Sequence, residues 1–386
     1  MVMNENVMNK EKRDSNFLIE ELKKIVSFFC LVYVLITYRI FINHRDFPLL
    51  PFIDGINDIP VFLNFILFAA LVIFLIFIYQ KEDNKVYLSF FFLIYFVLLF
   101  YDANRIQPFL FTYLSFFLFY YFYKLGWINS KFTIYVCKLI FVFAYFFSGF
   151  NKFNQSFFSY GYIRFVEPLQ ELIPKDFYNI IKSLGLIVAG FEFFIGFGLF
   201  FRATRKFTFY LAIILHLLII YFIGYLHNGF ATVVIYNVFC MIMIYYLFKN
   251  DNQNLWAETK QYSKKLLFHL SLILFFVLPM FNYFGYGVDL ISYDLYTGNY
   301  RFCFVVMKNS VREKLPASLK QYCIASTYKD YSIFYTDYFI YHETKAVLYR
   351  ETWAFMRIKK LFDPYKQKKG DVIMVVFRNG EREYYF

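Results

Sequence analysis

Nine apolar runs, each bounded by charge, proline or glycine, divide the first 281 residues. They extend approximately over Ile25 to Ile42, Ile59 to Tyr79, Val86 to Tyr101, Phe109 to Tyr123, Phe132 to Phe150, Leu184 to Phe201, Phe207 to Leu226, Phe230 to Phe248 and Leu266 to Phe281. A bilayer core takes roughly 20 apolar residues in helical form, so the pattern predicts about nine transmembrane helices. The third and fourth runs are short and separated only by Asp102 to Pro108, so they either tilt or meet at a broken, re-entrant turn. The charged stretch Met1 to Lys24 precedes the first run without a small-residue cleavage site, which points to a retained helix rather than a cleaved signal peptide.

The pattern changes beyond Asn282. Tyr300 to Met307, Ser332 to Tyr341 and Ala346 to Met356 mix β-branched and aromatic residues with polar ones, and Val372 to Phe386 carries Asn379-Gly380 between two strand-like runs. Asn-Gly is a hairpin signal, so this tail predicts a small α+β domain. The expected fold is an all-α polytopic membrane bundle with a C-terminal α+β extramembrane domain. Residues 1–24 form an N-terminal segment, 25–281 the bundle with an interfacial segment at 151–183, and 282–386 the domain.

Lys and Arg then set the sidedness. Alternate loops that would share a side with the N-terminus hold 16 basic residues, and the opposite loops hold six: Arg45, Arg105, Lys152, Arg164, Lys175 and Lys182. The positive-inside rule places the N-terminus in the cytoplasm and, with nine spans, the C-terminus outside it. Composition agrees with a membrane protein, at 60% hydrophobic and only 18% charged residues. The formal charge of +12 is accounted for by basic flanks of spans; no basic motif or zinc-ligand spacing accompanies it, so nucleic acid is not an expected partner. The 58 Phe and 37 Tyr are apolar filler and by themselves point to no function. Cys30, Cys137 and Cys240 fall inside spans; Cys303 and Cys323 both fall in the tail, where an oxidising compartment makes a Cys303–Cys323 disulfide the expected pairing.

Ionisable groups at bilayer depth are costly and are functional candidates by default. Lys138 lies near the end of its span and can extend its stem to the interface, so it is set aside. Glu192 and His216 both fall near mid-depth on consecutive spans and are expected to pair, either as a lock between helices or as a proton relay. At the opposite surface Asp102, Asn104, Arg105 and Gln107 occupy one loop. Span five ends there in Ser148, Gly149, Phe150, Asn151, Lys152, Phe153, Asn154, so that Lys152 emerges from an apolar helix end beside two amides. An amine desolvated there is either an interfacial anchor or a base.

The order of these pieces resembles the gamma-carboxylase-like membrane superfamily: the HTTM proteins, the vitamin K-dependent carboxylase and, more distantly, DoxX-like proteins. The matching motifs are AYFFSGFNKFN (Ala144 to Asn154), EFFIGFGLFFRATR (Glu192 to Arg205), the membrane His216, and DANRIQPFLFTY (Asp102 to Tyr113), the last being close to the form in uncharacterised bacterial members. The likeness covers roughly Asp102 to Phe248, with weaker agreement at Asp289 to Gly298 (DLISYDLYTG). It implies that Lys152 is a base that deprotonates a quinol or other lipid-soluble substrate. Two departures stand against glutamate carboxylation: Asn151 replaces the preceding lysine of the carboxylase pair, and Phe109 stands where a histidine follows the Asp-led loop. The large lumenal portion that grips a propeptide is also missing.

The expectation is therefore a bacterial inner-membrane protein with an outward-opening cavity lined by Asp102, Asn104, Arg105, Gln107, Asn151 and Lys152. If it is an enzyme, it acts by proton abstraction or redox on a quinone-like or lipid-linked molecule, with a quinone or quinol as cofactor or substrate and no metal. The rival is a non-catalytic membrane partner for maturation of a secreted peptide or redox protein. No internal repeat pairs broken helices, which disfavours a transporter.

Overall fold

The computed structural model describes residues 2–42, 45–53, 60–226, 231–284, 286–294, 297–298, 300–326, 330–378 and 381–386. The long helices are α1 Val2–Ile36, α2 Val61–Gln80, α3 Lys85–Tyr101, α4 Pro108–Lys124, α5 Ser130–Phe150, α6 Gly185–Phe200, α7 Arg202–Leu226, α8 Ala231–Phe248 and α9 Leu266–Tyr283. Sequence signals account for several ends: Pro108 occupies the first turn of α4, and the Asn129 side chain accepts the Phe132 N–H to cap α5.

Five helices, α2, α5, α7, α8 and α9, are long and apolar enough to cross a bilayer. A sixth results if Lys175–Ser183 and α6, which meet at 47°, count as one broken span. The protein is thus a multi-pass helical membrane protein. The remaining expected spans fall short for visible reasons. Helix α1 is apolar only in its last third and stops at Ile36, where Thr37 Oγ1 donates to Tyr33 O (2.8 Å). Helices α3 and α4 have 17 residues each. The turn between them is a single 3-10 turn, Ala103–Arg105.

Helix α5 is the hub. Its apolar window is 78% buried, against 22% for α2, which lies at the margin. Its tightest neighbour is α6. A Cβ at Gly149 would stand 2.6 Å from Phe193 Cα and 2.8 Å from Ala189 O, and one at Gly196 would stand 2.7 Å from Val142 O. Only glycine admits this approach, the small-residue packing common between membrane helices.

The chain alternates between two ends. At one, Ser15 meets Ser130 (3.0 Å), Glu20 pairs with Lys124 (2.7 Å), and Lys23 Nζ donates to Tyr79 O and Lys81 O (both 3.1 Å), capping α2. At the other sits the C-terminal domain, whose five strands are β1 Phe302–Lys308, β2 Cys323–Ala325, β3 Tyr331–Tyr335, β4 Val372–Arg378 and β5 Glu381–Tyr385. They form an antiparallel sheet in the order β2-β3-β1-β4-β5, covered by helices α10 Thr336–Thr344 and α11 Thr352–Lys360. Strand β1 alternates as its period of two demands, with Cys303, Val305 and Met307 inward. The same core takes in Phe47, Leu50 and Ala103, so loops of the bundle complete it.

Three expectations for the tail meet different outcomes. The hairpin forms, with Arg378 opposite Glu381, while the Asn379-Gly380 turn itself lies outside the described residues. Ala346 to Met356 is not a strand: Ala346 to Glu351 belongs to no helix or strand, and the chain then enters α11. Its backbone bonds go instead to amide side chains of the bundle, as described below. The Cys303–Cys323 disulfide is absent; both thiols are free and buried. Strand β3 lies between β1 and β2, which separates the two cysteines by about two strand spacings, ~9.5 Å, beyond the reach of a disulfide. Cys303 Sγ instead meets Thr336 Oγ1 at 3.2 Å.

All five cysteines are accordingly expected to alkylate when the unreduced protein is denatured, as read by intact mass. A deficit of two labels would show a bridge.

Candidate functional site

The loop after α3 was expected to line a cavity, but its side chains are taken up by the backbone. Asp102 pairs with Arg45 and accepts from Leu50 N (3.2 Å) and Asn104 N (3.2 Å). Arg105 is fully buried and donates to Ile40 O (2.8 Å), Phe41 O (3.1 Å) and Leu98 O, capping the carbonyls that α3 and the short helix Tyr38–Phe41 leave open. Gln107 brackets Val347 like a neighbouring strand: its Nε2 donates to Val347 O (2.8 Å), and its Oε1 accepts from Val347 N (3.0 Å). Asn104 Oδ1 accepts from Tyr349 N (3.2 Å). These contacts dock the C-terminal domain on the bundle, and they correct the expectation that Arg105 and Lys152 converge on one cavity. No hydrogen bond or ion pair joins Lys152 to Asp102, Asn104, Arg105 or Gln107.

Lys152 makes a different set of bonds. Two residues beyond the end of α5 and only 6% exposed, it forms an ion pair with Glu192 of α6, itself 6% exposed. Lys152 Nζ also donates to Ser148 Oγ (3.0 Å) and Ser148 O (3.3 Å), and Ser148 Oγ donates to Glu192 Oε2 (2.7 Å). The three groups form a closed triangle. The Gly149 contact with α6 brings the two backbones close enough for it to form. Phe157, on the turn that follows, places its ring 5.9 Å from the ammonium.

The expected Glu192–His216 contact is therefore replaced. His216 of α7 is bonded to Tyr145 of α5 through Nε2 and to Asn237 Oδ1 of α8 through Nδ1 (2.6 Å). With Nδ1 donating to the amide oxygen, the neutral ring accepts the Tyr145 hydroxyl proton at Nε2. Glu192 turns to Lys152 at the end of α5 and His216 to Tyr145 of α5, although α6 and α7 pack directly against each other.

Beneath the domain, further polar groups surround Lys152. Asn151 Nδ2 donates to Ser292 O (3.0 Å), and Asn154 Nδ2 donates to Asn151 O (2.7 Å) and Thr297 O (2.9 Å). Asn151 Oδ1 and the hydroxyl of Tyr293, whose backbone is left-handed (φ 58°), are buried without a partner among the described residues. Buried polar atoms of this kind call for water or a ligand. Asp294 accepts from Asn282 Nδ2 (3.2 Å) and from Thr297; burial first, then the field of Asp289, pushes its carboxyl up to about 7.

Sequence reasoning missed a second buried cluster, at the far end of α5. Lys138 is 2% exposed and pairs with Asp251 (2.9 Å), which also pairs with Arg205 (2.7 Å). Arg205 caps α6 through Leu199 O (2.9 Å) and Phe200 O (3.1 Å). The available signal was the coincidence of Lys138, near the end of its span, with Arg205 and Asp251 in flanking segments assigned to the same side.

No known protein family, curated protein or solved structure matches the chain.

Two predictions follow from the geometry. Lys152→Met alone or Glu192→Gln alone leaves a buried group without its partner and should cost about 3–5 kcal/mol, whereas the double replacement Lys152→Met/Glu192→Leu should recover most of it. Chemical denaturation in detergent measures this; additive losses would show that the pair is not coupled. For Asp294 the folded carboxyl is more basic than the unfolded one. Its contribution to stability is complete below the ordinary carboxylate range and declines as pH rises through about 7. Asp294→Asn should flatten the melting temperature between pH 5 and 8, and an unaltered slope would dismiss the carboxyl as its source.

Proposed function

We propose that this chain is a membrane-embedded acid–base protein of the gamma-carboxylase-like type, with the Lys152–Glu192–Ser148 triangle acting on a lipid-soluble, quinone-like or lipid-linked molecule. The observation that carries the reading is a buried lysine–glutamate pair at the end of an apolar helix, whose next residue, Asn151, bonds to the covering segment at Ser292 and keeps an Oδ1 with no partner among the described residues. Buried charges of this kind inside a membrane bundle are a default mark of function. The superfamily likeness of AYFFSGFNKFN and of the Glu192 segment supports the same two residues.

In this reading Glu192 takes the ammonium proton, leaving a neutral amine at Lys152. Moving a proton within the pair leaves the net charge of the buried unit unchanged, so no isolated ion has to be buried. The amine then accepts the hydroxyl proton of a quinol-like substrate, and the resulting anion lies against the ammonium. Asn151 Oδ1 and the Tyr293 hydroxyl supply an acceptor and a donor for the substrate's remaining oxygens. The chain would make nine passes in a bacterial inner membrane, with the end bearing Lys23, Lys124 and Lys138 in the cytoplasm and the domain outside.

Lys152→Met is expected to abolish retention of a co-purified lipid or quinone, read by mass spectrometry of extracted protein. Lys175→Met, in the exposed helix Lys175–Ser183, should leave retention intact. Equal behaviour of the two would favour the non-catalytic partner for a secreted peptide or redox protein.

A further inference from the structure

The residues leading into β1 bear directly on the segment that follows Lys152. Asn154 Nδ2 donates to Thr297 O (2.9 Å), and a Cβ at Gly298 would stand 2.8 Å from Phe157 N. Tyr300, two residues on, therefore lies beside the next turn of that segment, in the field of Arg164. Arg164 is exposed and donates to the Tyr160 hydroxyl (3.5 Å). From the domain, Arg350 lays its guanidinium over the Tyr300 ring, 3.6 Å from its centre. Asp337 completes the junction: Thr336 Oγ1 donates to Cys303 O (2.5 Å), which fixes the first turn of α10 beside the start of β1, and Asp337 follows it.

Two ionic groups of this junction have unmade bonds. Arg350 is only 7% exposed, its Nε is shut off from water, and none of its guanidinium nitrogens has an acceptor among the described residues. Arg105 and Arg205, buried as deeply, fill their guanidiniums with backbone carbonyls. Asp337 also has no hydrogen bond or ion pair among the described residues. Burial pushes its carboxyl up, and the fields of Arg350 and Arg164 oppose this. A guanidinium and a carboxyl that feel each other without touching leave donors and acceptors for a third party to satisfy. Arg301 nearby is paired with Glu351, and Asp294, also in the field of Arg350, is bonded to Asn282 and Thr297. Charges of both signs thus meet here in near balance, so the missing group carries both signs rather than an excess of one.

The same segment exposes Tyr160, Leu172, Phe177 and Ile180, apolar surface suited to the boundary between headgroups and acyl chains. We infer that the junction binds a phosphoethanolamine group, its phosphate on Arg350 and Arg164 and its primary ammonium on Asp337. A guanidinium matches phosphate oxygens with paired N–H donors, and a primary ammonium brings the donors that Asp337 lacks, which a choline group cannot. The site does not depend on the reading of Lys152.

The test uses the full-length protein, stripped of lipid in neutral detergent and examined by native mass spectrometry. The probes are dioleoylphosphatidylethanolamine, dioleoylphosphatidylcholine, dioleoylphosphatidylglycerol and soluble O-phosphoethanolamine. One phosphatidylethanolamine should bind in preference to the other two lipids. Asp337→Asn should weaken it about tenfold, the effect of losing one charge-assisted hydrogen bond, without weakening phosphatidylglycerol, a change of selectivity that a general loss of structure does not produce. Arg164→Gln, an exposed substitution that decides the matter if Asp337→Asn lowers the melting temperature, should weaken phosphatidylethanolamine and phosphatidylglycerol alike, about fivefold. If millimolar O-phosphoethanolamine displaces the lipid with the same dependence on Asp337, the group comes from solution, which sustains the site and names its source. Equal binding of the three lipids, no stoichiometric binding, or wild-type behaviour of both variants would overturn it.

Discussion

Helix ends are the constraint on which this structure turns. A bilayer offers no water to the last carbonyls of a helix, so every break within or beside the apolar bundle needs a protein donor. The chain answers with long basic side chains bent inward. Lys23 closes α2, Arg105 closes α3 together with the helix Tyr38–Phe41, and Arg205 closes α6. Each is nearly fully buried, and each lies where sequence reading would place a cytoplasmic anchor or a ligand donor. A buried guanidinium aimed at three carbonyls is committed to architecture, which is why Arg105 is a poor candidate for chemistry despite its position.

Lys152 differs in what it meets. Its main partner is a carboxylate rather than a set of carbonyls, and a carboxylate can take a proton whereas a peptide oxygen at neutral pH cannot. The difference rests on glycine. Residues 149 and 196 let α5 and α6 approach until Lys152 and Glu192 can touch; a methyl group at either would press into the backbone of the other helix. The close approach thus converts two costly isolated charges into one neutral unit, and neutrality is what makes the pair tolerable at that depth.

The apolar runs and the hairpin were legible because they depend on local periodicity. Lys152 stood out because it emerges from an apolar helix end. The partners were not legible, because they depend on which face each helix turns toward its neighbours. Glu192 and His216 lie at similar depth on consecutive helices, and depth alone made them a pair; only the faces those helices turn toward α5 assign Glu192 to Lys152 and His216 to Tyr145. Lys138 appeared to be an interfacial anchor because a single helix does not display Asp251, which arrives from the loop after α8. Gln107 and Asn104 were recognised as polar groups on a surface loop, but their partners are backbone atoms some 240 residues away, a distance no motif encodes.

One stripe of α5 orders the whole polar interior. Lys138, Tyr145 and Lys152 recur at intervals of seven residues, which keeps them near one face with a drift of about 20° per interval. At 1.5 Å per residue each interval is about 10 Å, too far for a direct hydrogen bond, and the residues between include the buried Phe141 and Val142. The three polar groups are therefore separate stations: the Lys138–Asp251–Arg205 cluster at one end, a Tyr145–His216–Asn237 lock in the middle, and the Lys152–Glu192 pair under the domain. Among the described residues no hydrogen bond links the Lys152–Glu192–Ser148 triangle to the Lys138–Asp251–Arg205 cluster, so each end of α5 compensates its buried lysine with a carboxylate of its own.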